Sequence, residues 1–550
     1  MSPKSKRTRA ALAALVVAAG TLATTGAAHA ERSHPGQQHR PPGLFERTAT
    51  YPVFQNRPAG EDAAKGTVAE ISSVSEDGRT LVHTDAVARR IGFLDISDPG
   101  HPRGLGTLSL ARLGDAEDEP TSVTVVGQYV LVVVNTSASH AQPSGRLDVV
   151  SLRDRERVAS FDLGGQPDSI ALSKDKRYAA IAIENERDEE ATPPGREEGD
   201  LPQAPAGFVQ ILDLGRGATP AHWRTRAVPL TRADGRALPV LAGAGITEPT
   251  DPEPEYVSVN GRNQLAVTLQ ENNGVVLIDL PTGRITKAFG AGTASVRGID
   301  TADDGAIDQR GSLEDVPREP DAVGWIDDRY LATANEGDWR GGTRGWSVFD
   351  SRTGKPAWDA GNGFERLAVR HGLHDESRAG KKGPEPEGIA IAEYDGVPYA
   401  FVGSERGNFV AVYDVSRPTR PVFRQLLPAT NGPEWPAADP VARTARRLQR
   451  GGRRRGGRAR VGEPVPPGPG QRPRSLVPRH RLGRRRPRCP HRLGSARRAV
   501  RGARQAAPAL HGHRRRVLHH PRPHRRHGPP PRGHHPGADR QGHRRAPRRL

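Results

Sequence analysis

The sequence predicts an all-β fold: a β-propeller of six recognisable blades, with a seventh missing or out of frame, and then a disordered basic tail. Three observations predict it. One pattern recurs through residues 64–434: a Pro, usually an acid, an apolar run, a Gly, Asn or Asp turn, a second apolar run, a polar loop and a third run ending in Asp. Most copies hold four short runs, β-branched and aromatic and bounded by turn residues, at a period of about 45–65 residues, which describes a propeller blade. No long segment of 3.6-residue period competes with them.

The chain opens on an export signal, read over residues 1–30. Lys4, Lys6, Arg7 and Arg9 precede an apolar, Ala-rich run from Ala10 to Ala28, and Ala28-His29-Ala30 offers small residues around a cleavage point, with Ala28 and Ala30 flanking it. The alternative is a retained membrane anchor. No other run approaches the roughly 18–20 apolar residues of a membrane span, so the cleaved product is expected to be secreted or at the cell surface. Residues 31–63 are polar and Pro-rich and read as a flexible leader.

The repeat then begins at Ala69, Pro120, Pro167, Pro254, Pro320 and Pro386. Its third run reads Ile91-Gly-Phe-Leu-Asp-Ile in the first copy, and the others end at Leu152, Leu214, Leu280, Asp350 and Val415. Turn signals such as Pro281-Thr282-Gly283 and Arg352-Thr353-Gly354 follow several of them. The long third copy carries an acidic, Pro-rich insertion near residues 186–202, which reads as a solvated loop.

In a propeller the innermost strand of each blade starts at one mouth of the central channel, and the second strand returns to the same face. The residue after the Pro and the loop after the second strand therefore share that mouth. The first position holds Glu70, Thr121, Asp168, Glu255, Asp321 and Glu387; the second brings Glu184, Glu271, Glu336 and Glu405. Carboxylates gathered from different blades repel one another unless cations or donors answer them, and oxygen-only ligands suit Ca²⁺ or Mg²⁺. The alternative is that each acid caps its own turn. A second acidic stretch, with Asp300, Asp303, Asp304 and Asp308, has the Gly and alternating acids of a calcium loop but has Gly311 where an EF-hand has its Glu, so an exposed loop competes with a metal site there. His371 and His374, beside Asp375 and Glu376, would place two imidazoles on one side of a turn, or simply lie on the surface.

Charge divides the chain. From Val441 onward there are 34 Arg, no Lys, no Phe, Trp or Tyr and only the acids Glu463 and Asp539, a net +32, although the whole chain carries +19. The body is thus acidic, which disfavours nucleic acid as its partner. Abrupt replacement of apolar and aromatic residues by Arg, Pro, Gly and His, just after Asn431-Gly432-Pro433-Glu434 restarts the repeat, reads as out-of-frame translation of residues 435–550; a true nucleic-acid-binding arm is the alternative. The lone Cys489 lies in that tail, so the body has no disulfide, thiolate nucleophile or zinc-thiolate site.

The stretches Glu253–Leu280, Ala332–Trp339 and Glu385–Asn408 carry a resemblance. Over residues 64–434 the chain resembles the choice-of-anchor I family of bacterial secreted or surface propellers, which includes relatives of a mesenchyme-specific cell-surface glycoprotein. Some actinobacterial members are similar to proteins with a phytase-like, esterase-like or alkaline-phosphatase-like region further along, but no phytase motif appears here.

Catalytic motifs are missing as well. The segment Gly403-Ser404-Glu405-Arg406-Gly407 has the serine in the wrong place for a nucleophile elbow, and no H-E-x-x-H, P-loop or post-strand G-x-G-x-x-G occurs. The favoured function is a monomeric binding or structural module with an acidic, Ca²⁺-binding mouth and an unidentified extracellular or cell-wall ligand. A metal-dependent phosphoesterase is the alternative, and nucleic-acid binding through the tail a second one.

Overall fold

A computed structural model describes residues 45–430 except 63 and 218. The export signal with Ala28 and Ala30, and the basic tail, lie outside the described residues. The body is an all-β propeller of six blades, spanning 72–109, 119–162, 167–229, 254–290, 323–359 and 386–428, each a four-stranded antiparallel meander. A two-stranded hairpin, Thr293–Ile299 with Gly311–Pro317, projects between the fourth and fifth blades.

The strands form where the sequence alternates apolar residues that can be buried on both faces. In Tyr129–Asn135 the side chains of Leu131 and Val133 enter the layer shared with blade 3, while Val130, Val132 and Val134 enter the layer shared with blade 1. Period two thus serves two cores at once. Outer strands meet solvent, as in Arg224–Pro229, where only Val228 is buried. The third-to-fourth strand turns follow the sequence signal: Gly283 and Gly354 sit at φ 69° and 76°, where a Cβ would be strained.

Five such layers join blades 1 to 6 in succession. The layer between blades 5 and 6 is the richest in aromatics, with the Trp346 ring 4.5 Å from Trp358 and 4.8 Å from Tyr413. Among the described residues, blades 6 and 1 share no such layer. Ala390, Tyr399, Phe401, Val410 and Val412 form one small cluster on blade 6, and Leu81, Leu94 and Ile96 another on blade 1.

One segment spans both clusters. Phe45 is buried edge-on against Tyr394, Tyr399 and Phe401 at 5.1–5.2 Å, and its backbone exchanges hydrogen bonds with the Gln425 amide at 2.8 and 2.6 Å. Tyr51 packs against blade 1, and buried Asn56 donates to the carbonyls of Phe93 and Gly106 at 3.1 Å while accepting from the Gly106 N–H at 2.7 Å. From Phe45 onward the stretch expected to be a flexible leader is therefore part of the fold. The signal for this was the pair Phe45 and Tyr51, aromatic residues within a mostly polar run.

Candidate functional site

The prolines that open the innermost strands have no N–H to give to the ladder, and pairing slips just beyond them. Register shifts fall between Pro254 and Val257 in blade 4 and between Pro386 and Ile389 in blade 6; in blade 3 the pairing of Pro167 with Ile183 is likewise followed by a shift. Such bulges free a residue from the pleat and re-aim its side chain. Asp168, Glu255 and Glu387 occupy those slips. In blade 5 Asp321 precedes the short inner strand Val323–Trp325 and bonds through its N–H to Ala334 O at 3.0 Å.

The second-strand loops arrive at the same place. Oxygen atoms of Asp321 and Glu336 from blade 5 and of Glu387 from blade 6 lie within 4.8 Å of one another; a second group joins Glu336 to Glu385 and Glu405. Glu184, Glu255 and Asp321 are pushed well above the usual carboxylate range, by burial first and then by neighbouring negative charge. Glu186 and Asp168 act on Glu184, Glu271 and Asp321 on Glu255, and Glu336 on Asp321, where Lys382 pulls the other way. Glu271 and Glu405 are both raised to about 7, burial outweighing Arg187 and Arg406. The mouth acids of blades 3 to 6 thus form one electrostatic unit. Glu70 holds the corresponding position in blade 1, its N–H on Thr84 O, and is not among the principal charges acting on the others.

Three basic residues answer part of this charge. Arg187 reaches Glu271 at 2.8 Å and Asp338 at 2.7 Å, with Glu253 at 3.8 Å, and its own backbone N–H donates to Glu253. Lys382 Nζ stands 3.0 Å from Glu336 and 2.9 Å from Asp338. Arg406 lies 2.8 Å from Glu385 and 2.7 Å from Glu405. Burial alone would raise Asp338, but Lys382 and Arg187 outweigh it and hold its carboxyl at about 2. Glu255 has a weaker answer: the Gln270 amide, oriented to donate, gives N–H bonds of 2.8 and 2.9 Å to its two oxygens. Glu271 Oε2 is buried with no hydrogen-bond partner.

Sequence reasoning missed two sets of residues here. Arg187 lies within the insertion expected to be solvated, yet is buried and pairs closely with Glu271 and Asp338, its Nε donating to Gly199 O at 3.1 Å. The acids preceding the prolines, Glu253, Glu319 and Glu385, are buried too. Their signal was the Glu-Pro-acid triplet itself. Glu319 shows what turn-capping looks like in this fold: its carboxylate accepts backbone N–H bonds from Asp338, Trp339, Arg340 and Gly341 at 2.7–3.1 Å. Asp321, two residues on, has no such bond.

The other candidates separate. Asp300 is buried and closes its own loop, accepting from Ala302 and Asp308 N–H, while Asp308 pairs with Arg310. Asp303 and Asp304 are exposed, and these four acids do not meet at one point. His371 is exposed; the His374 ring is fully buried, its Nε2 3.6 Å from Asp300 Oδ2. The loop from Asp300 and the turn at His374 are therefore tied together, with Glu376 accepting from Asp304 and Gly305 N–H at 2.7 Å. Ser404 is buried and donates to Pro384 O at 2.6 Å.

Fold and site together define a six-blade repeat propeller with an acidic channel mouth. The sequence matches the choice-of-anchor I domain over residues 70–341 and 340–418, and the chain belongs to that family. A choice-of-anchor domain on a propeller points to an extracellular or cell-surface binding module. No helix among the described residues is long and apolar enough to cross a membrane.

No curated protein matches the sequence. Solved structures similar to it include Kuenenia stuttgartiensis hydrazine synthase, at 14% identity over 67% of this chain and 88% of that one with a TM-score of 0.41. The WD40 repeats of RRP9 follow at 9% identity, 67% and 84% coverage and 0.43. With identities this low and TM-scores below 0.5, these likenesses carry no functional argument.

Proposed function

We propose that the propeller is an extracellular or cell-surface binding module whose acidic mouth takes divalent cation, Ca²⁺ foremost, and engages its ligand there. One observation carries this reading: Asp321, Glu336 and Glu387, from two blades, bring carboxylate oxygens within 4.8 Å of one another in a largely buried setting. Three ionised carboxylates at that spacing repel strongly at low dielectric, and an oxygen-ligated cation is the economical answer. Turn-capping, the competing account, describes Glu319, which accepts four backbone N–H bonds, and not Asp321. The affinity expected is that of extracellular calcium modules, roughly 10⁻⁴ to 10⁻³ M.

Hydrolysis of phosphoesters is the second reading, since clustered carboxylates also hold the ions that activate water. Against it, Arg187 and Arg406 are already bound to carboxylates, so these cations are not free to receive a phosphate. Calorimetric titration of the full chain with Ca²⁺ tests the first reading. Phosphate release from a phosphomonoester, with calcium and with chelator, tests the second; binding without release supports the module.

A further inference from the structure

The position where the three carboxylates meet already has a cationic neighbour, and it belongs to the protein. Lys382 leaves the loop ahead of blade 6 and places its ammonium 3.0 Å from Glu336 Oε1, one of the residues whose oxygens would ligate the ion. We infer that Lys382 is a tethered competitor for the cation site, so that an incoming divalent ion must displace its ammonium and the lysine sets the affinity of the mouth. This rests on the cation-binding reading above.

The geometry supports competition rather than simple structural pairing. A calcium ion ligated at about 2.4 Å by a carboxylate occupies nearly the same volume as an ammonium hydrogen-bonded to it. Two cations sharing Glu336 would sit a few ångströms apart and repel. The backbone of the loop is anchored, because Arg344 donates to Ala379 O at 2.8 Å and Lys381 O at 2.6 Å. The Lys382 side chain is a quarter exposed, so its four methylenes can swing the ammonium out to water while the loop stays in place. Glu271 is only half answered: Arg187 holds its Oε1 at 2.8 Å, while its Oε2, on a side chain only 5% exposed, has no hydrogen-bond partner. Lys382 and Arg187 therefore leave the acidic unit short of positive charge.

The experiment is calorimetric titration of calcium into the full chain and into K382Q and K382R. The expected result is binding at least tenfold tighter in K382Q, with K382R, which keeps the charge, close to the parent. Removing the ammonium also strips Asp338 of a partner, so the pair D338N and K382Q/D338N is titrated alongside to guard against a folding defect; the double variant should again bind more tightly than the single one. Equal affinities within both pairs overturn the inference and leave the cation site standing. Absence of calcium binding in every variant overturns both.

Discussion

The Arg187 guanidinium, carried by an insertion in blade 3, lies 2.8 Å from the Glu271 carboxylate of blade 4, with both side chains 5% exposed. It ties two blades and an inserted loop together through charge rather than through an apolar layer. Removing one partner of a buried pair leaves the other charge uncompensated. Arg187→Ala is therefore expected to destabilise the chain by about 3–5 kcal/mol in urea unfolding without metal. Part of that loss should return in millimolar calcium, because the cation takes over some of the charge that Arg187 balanced.

The raised carboxyls set a pH dependence whose sign is fixed. Glu271 and Glu405 hold protons up to about 7 in the folded chain, against 4.5 when unperturbed, so over that window the native state binds more protons than the unfolded one. Stability without metal should then fall as pH rises from about 4.5 through 7. Urea midpoints at pH 5, 6, 7 and 8 in chelator check this, and calcium should flatten the profile by stabilising the ionised carboxylates.

Asp321→Asn removes one of the converging charges while keeping the shape. The metal-free protein should melt higher than the parent, and the increment it gains from calcium should shrink or vanish. A variant that melts lower without metal and keeps the full increment would mean that Asp321 is held by its own turn.

Phe45→Ala removes the ring that covers the free face of blade 6. Large-to-small changes of buried aromatics cost about 3–5 kcal/mol, and a loss near the lower end is expected in urea unfolding, because the site lies at the edge of the core. Its ring meets Tyr394, Tyr399 and Phe401 edge-on.

Most of the mouth was legible in the sequence because the propeller repeats it. A Pro that cannot donate fixes the start of an inner strand, and the acid after it inherits the bulge at Asp168, Glu255 and Glu387; the same position in blade 5 holds Asp321. Glu184, Glu271, Glu336 and Glu405 follow from the return of the second strand. Arg187 was hidden because a burst of acids and prolines around it carries the composition of a solvated loop, and composition does not report a single long-range ion pair. The contact of Asp300 with His374 joins residues far apart in sequence on irregular loops, where no period constrains the partner.

The sequence after residue 434 carries a proposal that DNA can decide. Blades 1 and 6 each have a separate apolar cluster instead of a shared layer, as an interrupted ring would leave them. If residues 435–550 arise from a frame shift, one of the other two frames beyond codon 434 should encode alternating apolar runs ending in Asp. If neither frame does so, the basic tail is a native arm, and its nucleic-acid affinity should fall steeply with salt.

Calcium binding at the acidic mouth should be visible in the melting temperature of the full chain at pH 7.5. A midpoint clearly higher in millimolar calcium than in chelator is expected, reversed by adding excess chelator, with the increment reduced in Asp321→Asn. A midpoint indifferent to calcium and to chelator would contradict it.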